Sequence, residues 1–132
     1  MCIRDRVQDR ALAFAARLLK ERKSDPAVIK RAFELALSRP ATKNEVDACI
    51  TRWKSAEKSE NEKKPVHPSF PRKIKRTVMA EKTGEPYDFW EYLPASPSYQ
   101  PDLQRSQTDS RTRGLAHICL ILFNSNEFAY LD

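Results

Sequence analysis

Leu115-Ala116-His117-Ile118-Cys119-Leu120-Ile121-Leu122-Phe123 is the most apolar window of the chain, and Asn124-Ser125-Asn126-Glu127-Phe128-Ala129-Tyr130-Leu131-Asp132 follows it directly. Leu115, Ile118, Cys119 and Leu122 recur at i, i+3, i+4 and i+7, which puts them on one face of a helix. Leu120, Ile121 and Phe123 occupy the other faces, and a helix apolar all round is buried on several sides or spans a membrane. The run is about half of the roughly 18 residues that a span requires, so the spacing predicts a buried core helix. Asp109 or Ser110 is placed to cap its start. Arg111 and Arg113 stand in the first turn, where their charge opposes the helix dipole and asks for acidic partners. Asn124 tolerates the left-handed conformation that ends helices. Glu127 to Leu131 alternate in the manner of a short extended segment. Part of the cover for so apolar a helix is expected upstream, which predicts an exposed apolar groove beside Leu115–Phe123 or on the first helix.

The rest of the chain supplies three amphipathic helices to pack around that one. Val7, Ala11, Phe14, Ala15 and Leu18 mark one face of the first, which runs to about Lys23. Ser24-Asp25-Pro26 reads as a stop and restart, with Asp25 as cap and Pro26 at the first helical position. The second helix carries Ile29, Ala32, Phe33, Ala36 and Leu37 on one face, flanked by Val28 and Leu35, and Pro40 ends it. Thr42-Lys43-Asn44-Glu45 is a capping box that opens a third, with Val46, Cys49, Ile50 and Trp53 in one stripe. So short a link makes the second and third helices neighbours. The link lacks the small-residue turn of a DNA-reading pair. The third helix's outer face mixes Glu45, Asp47, Arg52 and Lys54 where a reading helix needs cations or amides. Nucleic acid is therefore not an expected partner.

Ser55 to Lys64 is a charged low-complexity run that either extends the third helix or frays into a solvated linker. Pro65, Pro68 and Pro71 make a stiff extended passage. Two flanks rich in β-branched and aromatic residues, Ile74–Met79 and Pro86–Tyr92, surround Lys82-Thr83-Gly84-Glu85 and favour a hairpin. A short helix through Val78–Lys82 competes with it. Tyr87, Phe89, Trp90 and Tyr92 read either as cover for the helical core or as a stacking face for sugars or nucleobases. Pro94 to Pro101 returns to the last helix as a loop.

Composition bounds the function. Two glycines and nine prolines argue against a phosphate-cradling loop. The 132 residues carry 24 Lys and Arg against 18 Asp and Glu, a net charge of +6, with 40% hydrophobic and 32% charged residues. This is one small globular piece by length. Met1-Cys2-Ile3-Arg4-Asp5-Arg6 matches the translation of a transposase mosaic-end adapter, so the chain is expected to be a C-terminal fragment beginning at Val7. Without Arg4, Asp5 and Arg6 the counts fall to 22 and 17 and the net charge to +5. The basic balance permits an acidic polymer as partner, but acids are interspersed with it throughout.

No Cys-x-x-Cys-His, Gly-x-Ser-x-Gly, His-Glu-x-x-His or Walker loop occurs. His67 and His117 are the two histidines. His67 stands between prolines without a second ligand at metal spacing. His117 reads as a core or boundary residue with a backbone partner. Cys49 and Cys119 face inward and are either two buried thiols or, in an oxidising compartment, a bridge.

From Arg111-Thr112-Arg113-Gly114-Leu115 through Asn124-Ser125-Asn126-Glu127-Phe128 the chain resembles the C-terminal end of the planctomycete surface-domain family, a domain of unknown function. Gly114 and Ile118 stand where that family usually has Ala and Leu, and Gly costs roughly 1 kcal/mol against Ala in a helix interior. Ile29–Thr42, with its Arg-Ala-Phe-x-Leu-Ala-Leu core, is similar to a second family segment, and Glu81–Pro86 with Tyr99–Leu103 to an insert of some members. The resemblance implies family-motif residues of structural role at Arg113, Leu115, Cys119, Asn124, Ser125, Asn126, Glu127 and Phe128. It also implies an exported, multidomain parent, periplasmic or at the cell surface, with a c-type cytochrome domain upstream. Haem would belong to that upstream part and no cofactor to this one. The partners would be upstream domains of the same chain.

The resulting expectation is a mainly α fold, a small helical bundle packed around a buried C-terminal helix, with a short β-hairpin or irregular insert. Its parts are residues 7–58 (three helices), 59–72 (charged and Pro-rich linker), 73–106 (insert) and 107–132 (core helix and tail). No catalytic, cofactor or metal residue is expected, and no membrane span. Two further readings are a wall of a polysaccharide-acting or redox enzyme with its catalytic residues upstream, and a basic module for acidic polymers.

Overall fold

The computed structural model describes residues 3–66, 72–93 and 102–130. It is mainly helical with one two-stranded antiparallel hairpin. The chain divides into a helical unit, residues 1–67 with 102–132, and a hairpin unit, residues 68–101.

In the helical unit, α1 (Ile3–Glu21), α2 (Asp25–Leu37) and α3 (Lys43–Glu62) surround α4 (Ser110–Phe123), and a short α5 (Asn126–Ala129) closes the end. Helix α4 packs chiefly on α1 and α3. Leu115, Ile118, Cys119 and Leu122 are buried there against Ala11, Leu12, Ala15 and Leu18 of α1, Val28, Ile29, Ala32 and Phe33 of α2, and Val46 and Trp53 of α3. Burying every face but one is what an all-round apolar helix demands. Ile121 is the exception, at 54% exposed. A groove of about 670 Å³ opens along the end of α1, where Ala16, Leu19 and Leu103 share the lining with mostly polar residues, Lys20, Lys23 and Arg111 among them, so it is not the apolar groove expected.

Several ends differ from expectation. Ser24 stands at the N-cap position of α2 without a side-chain capping bond, Asp25 is the first helical residue, and the Asp25 carboxylate is taken up by Arg111 at 2.6 Å. It ends at Leu37, before Pro40, because Ser38 adopts the left-handed conformation at φ 55. The expected Thr42–Glu45 capping box forms. Helix α3 continues through the charged run to Glu62. Asn124 is not left-handed (φ −94, ψ 2), and the tail turns into α5 instead of an extended segment. The cause is Ser125, whose hydroxyl accepts from the Phe128 N–H and starts a new helix where alternation alone reads as extended.

Gly114 sets the distance between α3 and α4. A Cβ built on it would lie 2.8 Å from the Glu57 backbone nitrogen and 3.0 Å from the Glu57 Cα, so any side chain here meets main chain. Gly114→Ala is expected to destabilise the helical unit by about 1–3 kcal/mol through overpacking, even though Ala is favoured over Gly by about 1 kcal/mol within a helix. Urea unfolding followed by circular dichroism checks this. A variant as stable as the parent would mean that the helices part freely.

In the hairpin unit, β1 (Lys73–Met79) pairs with β2 (Pro86–Tyr92), Lys73 opposite Tyr92 and Met79 opposite Pro86. Gly84, at φ +68, supplies the left-handed residue of the turn, where its N–H donates to Ala80 O at 2.8 Å. The hairpin holds and the competing helix at Val78–Lys82 does not form. The register places Lys73, Lys75, Trp90 and Tyr92 on one face and Ile74, Arg76, Val78, Tyr87 and Phe89 on the other. Tyr87, Phe89, Trp90 and Tyr92 are exposed on the hairpin. His67 and the Pro94–Pro101 loop lie outside the described residues.

Candidate functional site

Two polar assemblies hold the ends of the helical unit. The first gathers on Arg39, in the link between α2 and α3. Its guanidinium grips Glu45 with two nitrogens, at 2.7 and 3.0 Å. It also donates to Glu127 of α5, through Nη2 at 2.9 Å and through Nε. Glu45 is thereby held down at about 2, chiefly by the Arg39 hydrogen bonds and then by the Thr42 N–H, while Arg39 is raised above its ordinary value by Glu45 and Glu127. The planar fork suits this, since bidentate guanidinium–carboxylate pairs are the strong ones.

Around that clamp the Asn124–Phe128 motif is spent on main-chain closure. Asn124 Nδ2 donates to Leu120 O at 2.8 Å. Ser125 Oγ donates to Leu122 O at 2.7 Å and accepts from Phe128 N. Asn126 is the first residue of α5, and its carbonyl accepts from Tyr130 N at 2.9 Å. The Phe128 ring lies 5.2 Å from Phe123, which stacks in turn on Phe14 of α1 at 5.5 Å.

The second assembly is built on Glu60, in the last turn of α3, with a side chain only 2% exposed. Its Oε2 accepts from Arg113 Nε at 3.2 Å and Arg105 Nη2 at 2.6 Å, and its Oε1 lies 3.0 Å from His117 Nε2 and 3.8 Å from Lys63 Nζ. Arg113 also donates to the carbonyls of Arg105 and Thr108. Burial raises the Glu60 pKa. The hydrogen bonds from His117 and Arg105 and the charges of Arg105 and Lys63 overcome it and hold the carboxyl down at about 2. An ionised carboxylate only accepts, so His117 Nε2 carries the proton. His117 therefore has a carboxylate partner where a backbone one was expected.

Arg111 and Arg113 both find acids, as their place in the first turn of α4 requires. Asp109 caps that turn, its carboxylate accepting from Thr112 N at 2.8 Å. Leu115 and Cys119 are fully buried. Cys49 and Cys119 are free thiols, not a bridge, and burial pushes the Cys119 thiol up to about 12. An unreactive thiol buried in the core does not fit a haem attachment. Among the described residues no group of three or more His, Cys, Asp or Glu is placed to hold a metal, and no helix is long and apolar enough to cross a membrane.

No family model, curated protein or solved structure matches the chain.

Glu60 and Arg39 escape sequence reasoning. Glu60 falls within a run that reads as charged and solvated. Its signal is the heptad spacing Val46, Trp53, Glu60, which carries the buried stripe of α3 one step further than the apolar residues go. Arg39 has a near partner in Glu45, six residues on, but nothing in the sequence signals Glu127, which is 88 residues away.

Proposed function

We propose that this chain is the C-terminal module of an exported multidomain protein, a structural or interaction module that sits beside an upstream c-type cytochrome domain, in the periplasm or at the cell surface. The observation that carries the reading is the use made of the motif shared with the planctomycete surface-domain family. Arg113 pairs with buried Glu60, Asn124 and Ser125 close helix ends, and Glu127 binds Arg39. Leu115 and Cys119 are core, and Phe128 stacks on Phe123. These side chains are engaged in holding the fold, which is the role of a scaffold. Haem, in this reading, is bound by upstream sequence, and the partners are upstream domains of the same chain.

A second reading, the wall of a polysaccharide-acting or redox enzyme, draws on the hairpin. Trp90 and Tyr92 share one of its faces and are 55% and 75% exposed, offering ring faces on which a sugar can stack. Recovery of the coding sequence upstream of Val7 decides between the two. A Cys-x-x-Cys-His motif and a signal peptide are expected. A carboxylate pair or metal cluster directly preceding this module, with no haem motif, would replace the first reading by the second.

A further inference from the structure

The Glu60 assembly is unbalanced. Three permanent cations, Arg105, Arg113 and Lys63, with His117 as a further donor, face the Glu60 carboxylate, and the Asp109 carboxylate adds its charge beside Arg113. Glu60 Oε2 already accepts from two guanidiniums and Oε1 lies against His117, with Lys63 at ion-pair distance, so most of the acceptor capacity of the Glu60 carboxylate is taken. A guanidinium carries five N–H donors, and toward the described residues Arg105 gives one. Beside these groups lies a pocket of about 70 Å³, lined by Gln8 and Ala11 of α1, by Arg105, and by Arg113, His117 and Leu120 of α4. Its polar lining is an amide, two guanidiniums and an imidazole. Among the described residues no carboxylate lines it, and Ala11, Ala116 and Leu120 supply its apolar part.

We propose that this pocket binds one small oxyanion, a carboxylate or a tetrahedral inorganic anion. Size excludes an organic cofactor, because the space is roughly that of a few water molecules. Charge selects an anion over water, since an acceptor bearing negative charge makes shorter and stronger bonds to guanidinium than a neutral one. Arg113, with a side chain only 8% exposed, is fixed by Glu60 and by the carbonyls of Arg105 and Thr108. Arg113 is therefore held in place before any ligand arrives, and Arg105, with a side chain 48% exposed, is the more accessible donor. Helix α1 supplies Gln8 to the lining, so an anion here would tie the first helix to the fourth.

The test uses the 132-residue chain, titrated with sodium sulfate and separately with sodium acetate at constant ionic strength balanced by chloride. Amide and side-chain NMR shifts of Gln8, Arg105 and His117 are followed. Saturable shifts confined to these residues are expected, weakened about tenfold or more in Arg105→Gln and less in Arg105→Lys. Tighter sulfate binding assigns the pocket to an inorganic anion, and tighter acetate binding to the carboxylate of a metabolite or peptide. Absence of saturation with both anions overturns the proposal. So does equal binding by a folded Arg105→Gln variant, with Gln8→Ala as a second variant that leaves the Glu60 contacts in place.

Discussion

Glu60→Gln is expected to destabilise the helical unit by about 3–5 kcal/mol, the cost of leaving a buried ion pair with one member. Glutamine keeps the shape of the side chain and removes only its charge. Arg113 then remains almost wholly buried with carbonyls as its acceptors. The pH dependence follows from the same group. The folded carboxyl titrates at about 2 against an ordinary 4.5, so the unfolded chain takes up the proton first. The stabilisation is complete above 4.5 and is lost as pH falls through 2, a contribution of about 3 kcal/mol. Glu45, also held at about 2, titrates in the same window. Urea midpoints of parent and variant from pH 6 downward separate the two, because the Glu60→Gln protein lacks the first contribution and retains that of Glu45. A variant within about 1 kcal/mol of the parent at neutral pH would mean that water reaches the cluster and compensates Arg113.

Trp53→Ala is expected to cost about 3–5 kcal/mol, the range for emptying a buried indole site. The side chain is 1% exposed. Its Nε1 donates to Arg111 O at 3.0 Å, and the Arg111 guanidinium lies 4.6 Å over its ring while pairing with Asp25. One residue of α3 thus organises the starts of α4 and α2. Trp53→Phe keeps much of the packing and is expected to cost less than half as much. Fluorescence provides an independent readout, because Trp90, the other tryptophan, is 55% exposed. The blue-shifted part of the emission is expected to vanish in Trp53→Ala. Unchanged emission, or a loss of stability below about 1 kcal/mol, would remove Trp53 from the centre of the fold.

These two residues show where sequence reading is strong and where it stops. Trp53 is legible because the stripe Val46, Cys49, Ile50, Trp53 repeats at helical spacing, and apolar area at that spacing is buried wherever a partner face exists. The four long helices, the capping box at Thr42 and the hairpin about Gly84 are legible for the same local reasons. Glu60 is not, because a glutamate among Lys, Ser and Asn reads as solvated unless its partners are known. Those partners, Arg105, Arg113 and His117, are 45 to 57 residues away.

The candidate site divides in the same way. The motif Asn124–Phe128 stands out in sequence, but its role as a clamp depends on Arg39 arriving from another part of the chain. Gly114 reads as a weak point in a helix, and the packing turns it into the place where α4 comes up against the main chain of α3. The alternation of the tail reads as extended, and a single hydroxyl at Ser125 coils it.

By itself the sequence determined the number of long helices, the face each one buries and the burial of the last, because periodicity and caps act within a few residues. Only the tertiary structure decided which charges are paired, which glycine is obligatory and which histidine has a carboxylate beside it. Those outcomes depend on groups distant in the chain meeting in a space from which water is excluded, where an unpaired charge costs several kcal/mol.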